Sequence, residues 1–199
     1  MNKKVLFITD KLEDLDLKKD TSILMMEESI KHDFDVYQCQ VEDLFAKNSE
    51  VIVFAKKITS VGTSGIKFED ASTHSIKTFK YSFMRKDPPV DEDYMNALHL
   101  LGLAKVMGTK VFNNPVSIKE FNEKVFAIHF AKYIPETLIS RKIDNIKSFT
   151  KGKKEIVVKP LDGMGGKSIY KMDKIQESEF ETLLKMTNNE STQIITQEF

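Results

Sequence analysis

Lys159 stands at the end of the apolar run Ile156-Val157-Val158, and Pro160-Leu161-Asp162 then leads into Gly163-Met164-Gly165-Gly166. Glycines at 163, 165 and 166 permit positive φ and remove side-chain bulk, so successive backbone N–H groups can converge on phosphate oxygens. A cation inside an apolar run is costly to bury unless it meets an anion. That cost separates the segment from a ligand-free surface hairpin, the bland alternative for any glycine cluster. Gly166-Lys167-Ser168 has the ending of a Walker A loop, but that pattern requires glycine five places before Gly166, and position 161 is leucine. A Rossmann fingerprint fits poorly too, because the β-type run Ser168 to Tyr170 follows the glycines where a helix is required. What remains is two strands bridged by a glycine loop that covers phosphates.

No convincing Ser-His or Cys-His arrangement supplies a covalent nucleophile. Cys39 is the only cysteine, which excludes an internal disulfide and a multi-cysteine metal site. Beside Val36, Tyr37 and Val41 it reads as a small buried thiol in a strand. His74 lies in a polar loop, His32, His99 and His129 sit in or beside expected helices, and none has a metal-like companion. Thirty basic and thirty acidic residues cancel, so no net positive field draws nucleic acid or anionic membrane. Any polyanion site must be local. The early apolar run Val5 to Ile8 is ended by Thr9 and Asp10, far short of a signal-peptide core or a membrane span. The expected location is therefore the cytoplasm.

Positioning these groups requires a strand-and-helix framework. Val5 to Thr9 reads as a buried parallel strand opening at Asp10 into a loop, the end that ligand loops favour. Ile23, Met26 and Ile30 recur at helical spacing behind Lys18-Lys19-Asp20-Thr21-Ser22, with Asp20 or Thr21 as cap. Phe34 to Val41, Val51 to Ile58 and Ser75 to Phe83 read as strands, with a turn at Thr63-Ser64-Gly65. After Pro88 and Pro89, Asp91, Glu92 and Asp93 open a helix carrying Tyr94, Leu98 and Leu101 that stops near Gly108. A strand Lys110 to Asn113 follows. A capping box of Ser117 with Glu120 then leads into a helix bearing Ile118, Phe121, Val125 and Ile128. To this point the alternation implies a doubly wound α/β layer. Beyond about Phe130, strands Glu136 to Ser140, Glu155 to Leu161, Ser168 to Met172 and Gln193 to Phe199, with helices near Asp144 to Thr150 and Ser178 to Met186, describe an α+β unit. The expected division is 1–118 and 119–199.

Val-Val-Lys-Pro-Leu-Asp-Gly-Met-Gly-Gly at 157 to 166 is similar to the glycine-loop signature of prokaryotic glutathione synthetases, within the ATP-grasp superfamily. Met84-Arg85-Lys86-Asp87-Pro88-Pro89, Asn122-Glu123-Lys124, Pro135-Glu136-Thr137-Leu138 and Lys18-Lys19-Asp20-Thr21-Ser22 resemble that family in order and at comparable spacing, across nearly the whole chain. The resemblance implies a pre-ATP-grasp doubly wound α/β domain followed by the first, α+β part of an ATP-grasp domain.

It also implies roles for residues. Lys124 and Lys159 would hold nucleotide phosphates, Lys159 also near the adenine, as point charges suited to phosphate. From its local sequence alone Lys124 reads as a solvated helix residue. Gly163, Met164, Gly165 and Gly166, with Ser168, would form the lid that excludes water from an acyl phosphate. Gln197, Glu198 and Phe199 would begin the hinge that reads the adenine edge; on their own they read as the end of an edge strand. Lys19, Asp20, Thr21 and Arg85 would line the peptide-substrate side, the alternative for Arg85 and Asp87 being a local ion pair before the Pro-Pro turn.

The implied activity is ligation of glycine to γ-glutamylcysteine with ATP and Mg²⁺, the magnesium ligands lying past Phe199 in such enzymes. The implied assembly is a homo-oligomer at full length. The 199 residues alone are expected to be inactive. An ATP-grasp ligase for another carboxylate, or a module that only binds nucleotide or peptide, are the competing readings.

Overall fold

The computed structural model describes residues 3–62, 65–163, 168–173 and 175–199. The chain forms two compact units, Met1–Glu120 and Phe121–Phe199. The first contains, in chain order, β1 (Lys4–Ile8), α1 (Thr21–Lys31), β2 (Asp35–Cys39), β3 (Leu44–Lys47), β4 (Glu50–Gly62), β5 (Gly65–Phe68), β6 (Ser72–Ser75), β7 (Tyr81–Met84), α2 (Glu92–Val106), β8 (Val111–Phe112) and α3 (Pro115–Glu120). The sheet runs β3-β4-β2-β1-β7-β8, with β5 and β6 also paired to β4. Pairings β1–β2, β1–β7 and β7–β8 are parallel, and β4 pairs antiparallel with each neighbour.

Strand side chains alternate between faces, and β1 shows what that alternation builds. Val5 and Phe7 join Met26 of α1 in one cluster, while Leu6 and Ile8 join Tyr94, Ala97, Leu98 and Leu101 of α2 in another. A helix on each face is the doubly wound layer that the sequence implies. Asp20 caps α1 by accepting from Ser22 N at 2.6 Å, and Asp91 caps α2 by accepting from Tyr94 N at 2.9 Å. Gly108, at φ +98°, supplies the left-handed residue that ends α2. Cys39 is buried, and burial pushes its thiol well above the usual range. His74 belongs to β6 rather than to a loop. Of the expected turn at 63–65, Thr63 and Ser64 lie outside the described residues.

Two expected elements are divided. The strand expected from Ser75 to Phe83 is β6, a 3-10 turn at Ile76–Thr78 and then β7, because β6 lies beside β4 while β7 joins β1. One continuous strand cannot occupy both places. The helix expected from Ser117 onward is also broken: Ser117 lies inside α3, which Pro115 begins, and Asn122 starts a new turn, α4 (Glu123–Phe126). The Asn122 side chain accepts from Lys124 N and Val125 N at 3.0 and 3.2 Å, taking N–H groups that a continuing helix would use. Phe121, Val125 and Ile128, spaced for a buried stripe, are all exposed.

After a 3-10 segment at Ala127–Tyr133, the second unit has β9 (Thr137–Ser140), α5 (Ile143–Thr150), β10 (Ile156–Pro160), β11 (Tyr170–Met172), α6 (Glu177–Met186) and β12 (Ile194–Glu198). Its sheet is antiparallel, in the order β11-β10-β12-β9. Ile143 and Ile146 of α5 and Leu183 of α6 pack on Ile156, Val158, Met172 and Ile194. Among the described residues no helix is long and apolar enough to cross a membrane.

Candidate functional site

In the second unit β10 and β12 run side by side with Val157 opposite Gln197 and Lys159 opposite Ile195. Ile156, Val158 and Ile194 occupy the helix-covered face, so the period of two turns Val157, Lys159, Ile195 and Gln197 to the other. Lys159 therefore faces away from the helix-packed Ile156 and Val158, beside the buried Val157 and Ile195. It is half-buried, and its Nζ donates to Gln197 Oε1 at 2.8 Å. Gln197 Nε2 in turn donates to Thr137 Oγ1 at 2.9 Å, and Thr137 Oγ1 donates to Pro135 O at 2.7 Å. Hydrogen bonds thus run from β10 across β12 to β9, each fixing the rotamer of the next side chain.

Lys124 meets this strand from the other direction. Its Nζ donates to Gly163 O at 2.7 Å, Leu161 O at 3.3 Å and Glu123 Oε1 at 2.8 Å, and Asn122 Nδ2 donates to Leu161 O at 3.0 Å. With its side chain 19% exposed, Lys124 is not the solvated helix residue that its local sequence suggests. The hydrogen bond from Lys124 holds the Glu123 carboxyl below its usual range. Asn122 therefore does two things: it caps α4, which carries Lys124, and it ties that turn to the backbone just past Lys159. Asn122 and Thr137 stand within the motifs that carry the family resemblance, but the sequence alone assigns neither a role. The available signal was an asparagine directly ahead of Glu123, which is an N-cap pattern.

Two ammonium groups beside the root of a glycine loop can receive a polyphosphate, because each acts as a compact point charge with several donors. Met164, Gly165 and Gly166 lie outside the described residues. Ser168 is exposed at φ +57°. Glu198 departs from the row of Lys159 and Gln197: its carboxylate lies 4.0 Å from Lys153 Nζ, and Lys153 also pairs with Glu136. Phe199 lies under the Lys171 ammonium, 3.6 Å from the ring centroid, and its N–H donates to Glu155 O at 3.1 Å. Among the described residues no group of three or more His, Cys, Asp or Glu side chains could hold a metal ion.

The first unit gathers charge at the carboxyl ends of β1 and β7. Asp10 Oδ1 pairs with Lys86 Nζ at 2.6 Å, and Asp10 Oδ2 accepts from Asp87 N at 3.0 Å. Arg85 N donates to Ile8 O at 2.8 Å, and Arg85 Nε donates to the buried Ser22 Oγ at 3.3 Å. Ser22 N is the group held by Asp20, so one residue orients both Arg85 and the α1 cap. Lys19 and Thr21 are exposed beside that cap. The structure brings Asp20 and Arg85 together through Ser22, adds Asp10, Lys86 and Asp87, and shows no Arg85–Asp87 ion pair among the described residues.

Residues 3–119 match the family model of the prokaryotic glutathione synthetase N-terminal domain, and residues 123–199 match that of the prokaryotic glutathione synthetase ATP-grasp domain. Glutathione synthetase from Prochlorococcus marinus is 31% identical over 196 residues, covering 98% of this chain and 63% of its own length. That of Buchnera aphidicola is 30% identical over 190 residues, covering 94% and 59%. The chain thus spans about three-fifths of the length of the curated relatives it matches. Among solved structures, D-cycloserine synthetase DcsG aligns with a TM-score of 0.62 at 14% identity, over 98% of this chain and 59% of that one. At that identity the likeness is one of fold, an N-terminal α/β unit followed by the opening part of an ATP-grasp unit. Because the two family models between them account for nearly every residue, the chain belongs to the prokaryotic glutathione synthetase family.

Proposed function

We propose that the protein is an ATP-dependent ligase that joins glycine to γ-glutamylcysteine through an acyl phosphate. The observation that carries this reading is the placement of Lys124 and Lys159 at the two sides of one loop root, each oriented by protein groups that leave its charge uncancelled or only partly cancelled. Charge development during phosphoryl transfer is met by positioned cations and backbone donors, with no covalent nucleophile required. A carboxylate oxygen of the peptide attacks the γ-phosphorus of ATP and expels ADP. The amine of glycine then attacks the acyl carbon, and inorganic phosphate leaves with the former carboxylate oxygen.

Within this chain, Lys124 and Lys159 bind and orient the phosphates, Gln197 and Thr137 hold Lys159 in position, and Arg85 with Asp20 lines the peptide side. Magnesium, when bound, supplies further charge neutralisation at the phosphates. The reading places the protein in the cytoplasm and, at full length, in a homo-oligomer. Peptide carrying ¹⁸O in its cysteinyl carboxylate tests the reaction order. One labelled oxygen should appear in the released phosphate, and unlabelled phosphate would exclude the acyl phosphate.

A further inference from the structure

Arg85 and Asp87 stand two residues apart at the exit of β7, carry opposite charges and do not pair. Among the described residues neither takes part in an ion pair, and Lys86 between them is engaged by Asp10 instead. Both are nevertheless anchored. Ser22, 2% exposed, accepts from Arg85 Nε, while Asp10 accepts the backbone N–H of Asp87 and leaves its carboxylate without a hydrogen-bond partner among the described residues. The outcome is a guanidinium held by Ser22 and, two residues on, an unspent carboxylate whose backbone is fixed by Asp10, where β1 and β7 open into loops. Partial burial, followed by the Asp10 and Asp20 carboxylates, raises the Asp87 carboxyl above its usual range, against the opposing pull of Arg85 and Lys86. An added cation would relieve that repulsion.

We propose that Arg85 and Asp87 form a clamp for a free α-amino-acid head group, the guanidinium gripping the α-carboxylate and the Asp87 carboxylate accepting from the α-ammonium. The assignment rests on the ligase reading above and adds the feature by which the peptide is chosen. A γ-linked glutamyl residue uses its side-chain carboxyl in the amide, so its α-ammonium and α-carboxylate both remain free on one carbon. An α-linked glutamyl peptide has spent that carboxylate and would leave the Arg85 fork unpaired. Specificity of this kind comes from an unmet charge in the wrong complex. Asp20, with one oxygen committed to the α1 cap, adds negative potential on the ammonium side.

The test compares γ-glutamylcysteine with glutarylcysteine, the same peptide without its α-ammonium, in the intact gene product. Asp87→Asn should raise KM for γ-glutamylcysteine by about tenfold to a hundredfold, the effect of losing one charge-assisted hydrogen bond. KM for glutarylcysteine and for ATP should stay where they were, and Asp87→Glu should restore part of the loss. The Asp87 side chain makes no hydrogen bond among the described residues and asparagine has its shape, so the variant should fold, and the unchanged ATP dependence checks it. Equal changes for both peptides, or no change for γ-glutamylcysteine, would overturn the clamp. An unaltered protein that fails to turn over γ-glutamylcysteine at all would remove the ligase reading, and the clamp with it.

Discussion

Lys159 Nζ donates to Gln197 Oε1 at 2.8 Å, across adjacent strands and on the sheet face opposite the two helices. The acceptor is a neutral amide oxygen. It fixes the direction of the ammonium without cancelling its charge, whereas a carboxylate in the same place would compete with an incoming phosphate. Thr137, by receiving the other end of the Gln197 amide, sets which way that amide faces.

Replacing Lys159 with alanine should therefore weaken ATP binding by about tenfold to a hundredfold, since a charge-assisted bond is worth about 1.5–3 kcal/mol. The fold should survive, because the side chain lies off the packed core. Calorimetry with ATP measures the first effect and thermal melting the second. Unchanged affinity would remove Lys159 from the phosphate site.

Asn122 separates two contributions. Asn122→Ala should cost about 0.5–2 kcal/mol through loss of the helix cap, and should also weaken ATP binding by releasing the Lys124 turn from Leu161. Asn122→Asp keeps a capping oxygen but loses the Nδ2 donor to Leu161 O. It should retain most of the stability and still lose affinity. Denaturant unfolding beside ATP titration checks both, and equal effects of the two substitutions would show that the tether is irrelevant.

How legible these features were in the sequence depended on how local their causes are. The α1 cap at Asp20, one of the two residues expected to make it, the α2 helix opened by Asp91, Glu92 and Asp93, the glycine stop at 108 and the strands around Val157 and Ile195 depend on neighbouring residues, and all appear. The division of Ser75 to Phe83 depends on which distant strands the two halves join, and hydrophobic pattern carries no record of that. The apolar run marks Lys159, but which of its neighbours it meets depends on period-two alternation, which turns it from Ile156 and Val158 toward Val157 and Ile195. Ser22 and Asp10 escaped because their partner segment lies more than sixty residues away, at Arg85 to Asp87.

Arg85→Lys should raise KM for γ-glutamylcysteine well above any change in KM for ATP. Lysine keeps the charge but loses the planar fork and the Nε donor to Ser22. Steady-state kinetics with each substrate varied in turn checks it. Equal losses for both substrates would indicate a structural defect instead.

Stability should carry a signature of His74, whose ring lies 4.9 Å from Tyr37 and 5.7 Å from Phe79 between ring centroids. Burial, assisted by Lys4, holds its pKa below the usual 6.5. The unfolded chain thus binds the proton more readily, so stability should be full above about pH 6.5 and decline as pH falls toward the depressed value. His74→Phe should abolish that part of the decline. Melting temperatures of the two proteins between pH 5 and pH 8 should diverge only on the acid side, and parallel curves would contradict the assignment.

The most direct measurement is substrate-dependent turnover by the intact gene product supplied with ATP, Mg²⁺, γ-glutamylcysteine and glycine, following phosphate and glutathione together. The account predicts that both are released in equal amounts, and only when peptide and glycine are both present. Phosphate release that proceeds equally with unrelated carboxylates, or without formation of glutathione, would contradict it.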